Sequence, residues 1–143
     1  MSNHIHCILQ STTEDLSGLI RDFKKHTAKR ILESIRNEPE SRREWMLRQF
    51  VAAAKKHSRN KTYQFWKYGN HPEEVHSEKF LWSKLDYIHM NPVRAGIVVK
   101  ASEYRYSSAS NYVNDQGLIS ITKADNPVVA ILKKNSFFKS ISW

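Results

Sequence analysis

One helix dominates what this chain can fold into. In "EKFLWSKLDYIHMNPVRAG", residues 78–96, Phe80, Leu81, Lys84, Leu85 and Ile88 recur at helical spacing. Asn91-Pro92 ends the regular pattern, because a proline restricts the residue before it, and Gly96 is the next stop signal. A second, different pattern opens the chain. "NHIHCIL", residues 3–9, alternates and then turns apolar, which predicts a short strand. A chain holding both patterns mixes helix and strand.

Between them the pattern is mostly helical. Thr12 or Thr13 is placed to cap a helix, with Glu14 and Asp15 in its first turn. Leu16, Leu19, Ile20, Phe23, Ile31 and Ile35 give that helix one apolar face. Pro39 breaks it or starts the next, which Trp45, Leu47, Phe50 and Val51 carry to about residue 56. "TYQFWKYG" alternates aromatic and polar residues and predicts a strand. "IVVK" predicts a small strand or core plug, and "ASEYRYSSASNYV" a short helix or turn holding packed tyrosines. Beyond residue 113 the signal weakens, with "GLISI" a candidate strand and "NPVVAILKK" a candidate helix. The expected division is therefore a domain at 1–113 and an extension at 114–143.

Two constellations could carry chemistry. In a strand, residues i and i+2 share a face, so His4 and His6 can reach one cation while Ile5 and Cys7 point the other way. Two imidazoles are an incomplete site and need a third ligand or substrate oxygens. The plain alternative is a pair of surface histidines on an edge strand. In the helix, Tyr87 and Asn91 are i and i+4 and share a face. Asn91 can offer its amide oxygen to a metal, and Tyr87 a phenol to whatever that metal polarises. The plain alternative is a packed tyrosine and ordinary helix-end chemistry at Asn-Pro.

Taken together and in order, "SNHIHCIL", "FWKYG", "LDYIHMNPVRAG" and "EYRYSS" resemble the REP-associated tyrosine transposases. These are bacterial members of the His-hydrophobic-His single-tyrosine nucleases. The resemblance covers roughly residues 2–110 and implies the α+β class, with a ferredoxin-like antiparallel sheet and helices on one face. It implies metal-dependent cleavage and joining of single-stranded or hairpin DNA. Tyr87 would be the nucleophile, and His4, His6 and Asn91 would hold Mg²⁺ or Mn²⁺. A histidine-rich shell favours Mn²⁺; availability favours Mg²⁺. An ordinary phenol titrates near pH 10, so only about one in a thousand is ionised at neutral pH, and the site must activate it.

Charge agrees with a polyanionic partner. Lys plus Arg number 23 against 14 acids, a formal net charge of +9. Arg21, Lys24, Lys25, Lys29 and Arg30 either contact phosphates or form a solvated helix face. Arg94 either binds phosphate or caps the helix end. Tyr63, Phe65, Trp66 and Tyr68 either stack bases or pack, with alternation putting half of them in the core. His89 is expected to be structural.

The sequence also departs from the family. Relatives carry another strand and helix before the His-x-His strand, whereas here the motif starts at residue 3. The sheet is then expected to lack its first strand and to expose an edge. A misassigned start, a gene remnant or a covering partner chain would each fit. A homodimer follows from the last of these and from the paired subunits of relatives. Residues 36–60 read as an inserted or extended helical segment. No run reaches a membrane span, and a single cysteine, Cys7, fits the cytoplasm. Two other functions compete: a remnant that binds nucleic acid without cutting it, and a small metal-dependent hydrolase using His4 and His6 with water.

Overall fold

The computed structural model describes residues 4–57 and 62–124 and the backbone of 138–142. It is mixed helix and strand, as the patterns predict, and divides into two compact units. One is Ser11–Gly69; the other joins Met1–Gln10 to Asn70–Trp143.

The Ser11–Gly69 unit is built on two helices, α1 (Leu16–Asn37) and α2 (Arg43–Lys55). The N-cap of α1 is Asp15, not Thr12 or Thr13: the Asp15 carboxylate accepts the Gly18 N–H at 2.7 Å. The cap closes so tightly over Gly18 that a Cβ there would lie 2.1 Å from Asp15 Oδ2. At the other end Glu38 turns extended, as the residue before Pro39 must. Arg43 then ties α1 to α2. Its guanidinium donates to the Ile35 and Glu38 carbonyls at 2.9 and 2.7 Å, satisfying acceptors that the helix end leaves open.

"TYQFWKYG" is not a strand. Phe65 packs on Phe50 and Trp66 on Phe23, with ring centroids 5.3 and 6.2 Å apart. The Trp66 indole donates to Thr27 Oγ1 at 3.0 Å, and the Gln64 N–H to the Phe50 carbonyl at 3.0 Å. The alternation records an extended chain lying half-buried on helices. A ladder also needs a neighbouring strand, and the described residues of this unit contain none. Ile20, Ile35 and Ala54 form its buried core.

The other unit holds three short strands, β1 (His6–Leu9), β2 (Glu73–Val75) and β3 (Phe138–Ser142). They pair antiparallel in the order β1-β3-β2, smaller than the sheet the resemblance implies. The register sets His6 opposite Ser142, Leu9 opposite Lys139 and Val75 opposite Phe138. The middle strand therefore comes from the segment beyond residue 113, where the sequence signal is weakest. Among the described residues β1 pairs on one side only, leaving the expected open edge. "IVVK" and "GLISI" form no strand. "NPVVAILKK" lies outside the described residues.

Helix α3 (Glu78–Arg94) packs against β1 and β2. Ser77 caps it, its hydroxyl accepting the Phe80 N–H at 3.2 Å. The helix does not stop at Asn91-Pro92. Pro92 forfeits only one amide donor in the last turn, and the helix runs on through Arg94. Gly96, at φ +68°, makes the stop, its N–H reaching the Val93 carbonyl at 2.9 Å. A 3-10 turn (Ala101–Glu103) and α4 (Ala109–Asn114) follow, as that segment predicts, but its tyrosines are not all packed: Tyr106 is exposed. Leu85, Pro92 and Ala109 are buried in this unit.

The capping assignment is testable. Asp15→Ala is expected to cost about 1 kcal/mol in chemical denaturation, whereas Thr13→Ala costs only a few tenths. Equal losses would return the cap to the threonine.

Candidate catalytic centre

Every residue of the two chemical motifs falls in the sheet-bearing unit. Strand β1 starts at His6, and His4 precedes it on the same side. Their rings meet edge to face, with centroids 4.9 Å apart and planes at 83°. The His6 ring then meets the Tyr87 ring at 5.6 Å and 88°. Two periods in the sequence, two residues in a strand and 3.6 in a helix, thus bring His4, His6 and Tyr87 into one row of rings. Tyr87 keeps 46% of its surface exposed, so a substrate can reach it.

Along α3 the same face continues. Lys84, Tyr87, Asn91 and Arg94 follow one another at three- and four-residue steps, a single stripe on the helix. The Arg94 guanidinium lies 5.9 Å from the centre of the Tyr87 ring. It reaches that position because the helix passes through Pro92. Lys84 pairs with Glu73 of β2 and rests 5.0 Å from the Phe80 ring centre. Sequence reasoning gave Lys84 no chemical role, although its place one turn before Tyr87 was there to be read.

The environment of His6 favours the neutral ring. Burial lowers its pKa below the ordinary 6.5, and the nearby His4 and Lys84 charges push the same way. A neutral imidazole is the metal-ligating form. Its Nε2 is buried and has no hydrogen-bond partner, and the same holds for the Asn91 amide nitrogen. Asn91 is only 9% exposed. A buried unpaired polar atom costs about 1–3 kcal/mol, and Gln64 Oε1 and Glu78 Oε1 are in the same state. A half-turn of the Asn91 amide presents its oxygen instead. Imidazole nitrogen and amide oxygen are suitable donors for Mn²⁺ or Mg²⁺, so the residues fit the group that the resemblance implies. Among the described residues no three His, Cys, Asp or Glu side chains cluster as a ready metal site.

Other candidates fall elsewhere. Burial pushes the Cys7 thiol up to about 11, so it offers no thiolate at neutral pH. His89 is structural, as expected: its Nε2 is 2.8 Å from Ser108 Oγ and its ring packs on Tyr112. The basic positions of α1 lie in the Ser11–Gly69 unit and are partly compensated. Arg21 pairs with Asp22, and Lys29 and Arg30 both with Glu33. Lys24 donates to the Lys67 and Gly69 carbonyls at 3.3 and 3.4 Å. Lys25 is exposed. Exposed pairs of this kind are weak, so a phosphate can displace them. Lys24 is the least available of the five.

No family model matches the chain, and no curated protein or solved structure matches it either.

The histidines give a pH prediction. The folded pKa of His6 is lowered, and burial lowers that of His89 as well, against the pull of Asp86. Between those values and the ordinary 6.5 the unfolded chain binds more protons. The stability these groups contribute is therefore full above pH 6.5 and is lost as pH falls through their folded values. His6→Gln is expected to flatten the loss between pH 7.5 and 5, read from denaturation midpoints. An unchanged slope would mean that His6 titrates alike folded and unfolded.

Proposed function

We propose that this chain is a metal-dependent nuclease and strand transferase acting on single-stranded or hairpin DNA, with Tyr87 as the nucleophile. The observation that carries the reading is the row His4–His6–Tyr87, with Arg94 at its end. The resemblance to REP-associated tyrosine transposases supplies the reaction class. The ferredoxin-like arrangement is part of the same proposal, the short antiparallel strands being a portion of that sheet. So is a cytoplasmic site of action. Among the described residues no helix is long and apolar enough to cross a membrane.

In this reading the Tyr87 phenol loses its proton and its oxygen attacks the scissile phosphorus. The bond from phosphorus to the 3′ oxygen breaks, and that oxygen leaves as a free 3′-OH after taking a proton. The 5′ side stays on the enzyme as a phosphotyrosyl ester. Such an ester conserves the phosphodiester energy, so a 3′-OH can reverse the step and join strands. Arg94 lies where a guanidinium can balance phosphate charge beside the ring. His4, His6 and Asn91 would hold the divalent ion. When bound, the ion acts as a Lewis acid on a phosphoryl oxygen, worth several kcal/mol.

The test is incubation with single-stranded hairpin DNA and Mn²⁺, followed by a denaturing gel. Wild type is expected to form a covalent adduct, and Tyr87→Phe none, with DNA binding kept. Binding without an adduct in wild type would favour the non-cutting remnant. Cleavage that survives Tyr87→Phe would favour the hydrolase, with water as nucleophile.

The proposal extends to paired subunits, because β1 leaves an edge open among the described residues. Light scattering at micromolar concentration is expected to give twice the chain mass. A mass of one chain would reject the dimer.

A further inference from the structure

The Ser11–Gly69 unit holds a groove that the catalytic reading does not use. It runs along one face of α2, with a volume of ≈430 Å³. Glu44, Arg48, Val51 and Lys55 line it at helical spacing, and Tyr63 forms its wall. The Arg36 guanidinium lies over the Tyr63 ring, 4.8 Å from its centre. Arg48 and Lys55 are exposed and about two turns apart, some 10 Å along the axis. Val51 lies between them on the same helix face. The order along the groove is thus cation, apolar floor, cation, with Glu44 the sole carboxylate among these lining residues.

We propose that this groove binds a segment of single-stranded DNA, a base resting on the apolar floor beside Tyr63 and the flanking phosphates on Arg48 and Lys55. The chemistry of the lining selects this occupant. An aromatic ring braced by a guanidinium is a stacking surface that accepts any base. Three cations against one carboxylate attract a polyanion, in a chain whose net charge is +9. The spacing lets two phosphates be held while a base sits between them. The inference rests on the DNA substrate of the proposed function, but not on Tyr87 as its nucleophile. It gives α2 a use in the same DNA chemistry, as an anchor for the strand.

Arg48→Ala/Lys55→Ala, made in the full chain, tests the proposal. Fluorescence anisotropy with a labelled oligothymidine, titrated over salt, reads both affinity and charge contacts. The expected result is about a tenfold loss of affinity, with the log-log salt slope shallower by about 1.4 units for two lost phosphate contacts. Tyr63→Leu is expected to weaken binding about tenfold with the slope unchanged, and Tyr63→Phe to restore it. Lys79→Ala/Arg105→Ala, which removes the same charge from exposed positions in the other unit, is expected to leave the slope within about half a unit of wild type. Equal losses in both charge pairs would overturn the proposal in favour of diffuse attraction. Displacement of the oligonucleotide by polyglutamate at matching charge concentration would overturn it in favour of an acidic-peptide surface. The adduct gel keeps the two readings apart. If wild type forms no adduct, the nuclease reading falls while the anisotropy titration still judges the groove. If the groove variants bind like wild type, the groove falls while the adduct still judges Tyr87.

Discussion

The candidate site depends on one contact, the edge-to-face meeting of the His6 and Tyr87 rings. It joins a strand residue to a helix residue far away in sequence. Everything around it follows from holding that contact. Packing α3 against β1 buries one side of His6, which keeps its ring neutral and leaves Nε2 unpaired. Stability alone would not select such an atom, since a partner or an apolar ring would serve folding better.

The α3 stripe shows how a small sequence choice extends such a site. Ending the helix at Asn91 would have left Arg94 on an irregular segment. Passing through Pro92 and stopping at Gly96 keeps Arg94 in register with Tyr87, seven residues on. The cost is one helical hydrogen bond in the last turn. The gain is a guanidinium fixed over the ring, set by helix geometry rather than by a loop.

Much of this was legible in the sequence because it is local. The periods that place His4 with His6, and Tyr87 with Asn91, need nothing beyond their own segments. So do the bodies of α1, α2 and α3. What failed was non-local or ambiguous. "TYQFWKYG" carries a real alternation of burial, but burial alone does not supply a partner strand. The cap passed from the threonines to Asp15 because a positive φ at Glu14 redirects the chain just before it. The orphaned nitrogens of His6 and Asn91 depend on what packs around them, and no motif encodes that. The centre of the sheet was least legible of all, since nothing near 138–142 names residues 6–9 as its neighbours.

That last pairing has a consequence for how the molecule is made. Residue 6 finds its ladder partner at residue 142, so the contact spans nearly the whole sequence. During synthesis the His-x-His segment emerges before its ladder partner, and α1, α2 and α3 are made in between. Contacts of such long range form late and slowly, after local helices are in place. A ribosome-bound chain thus carries its tyrosine helix before it has a seated pair of histidines. The histidines and Tyr87 would be seated together against the sheet only once the β3 segment has been made.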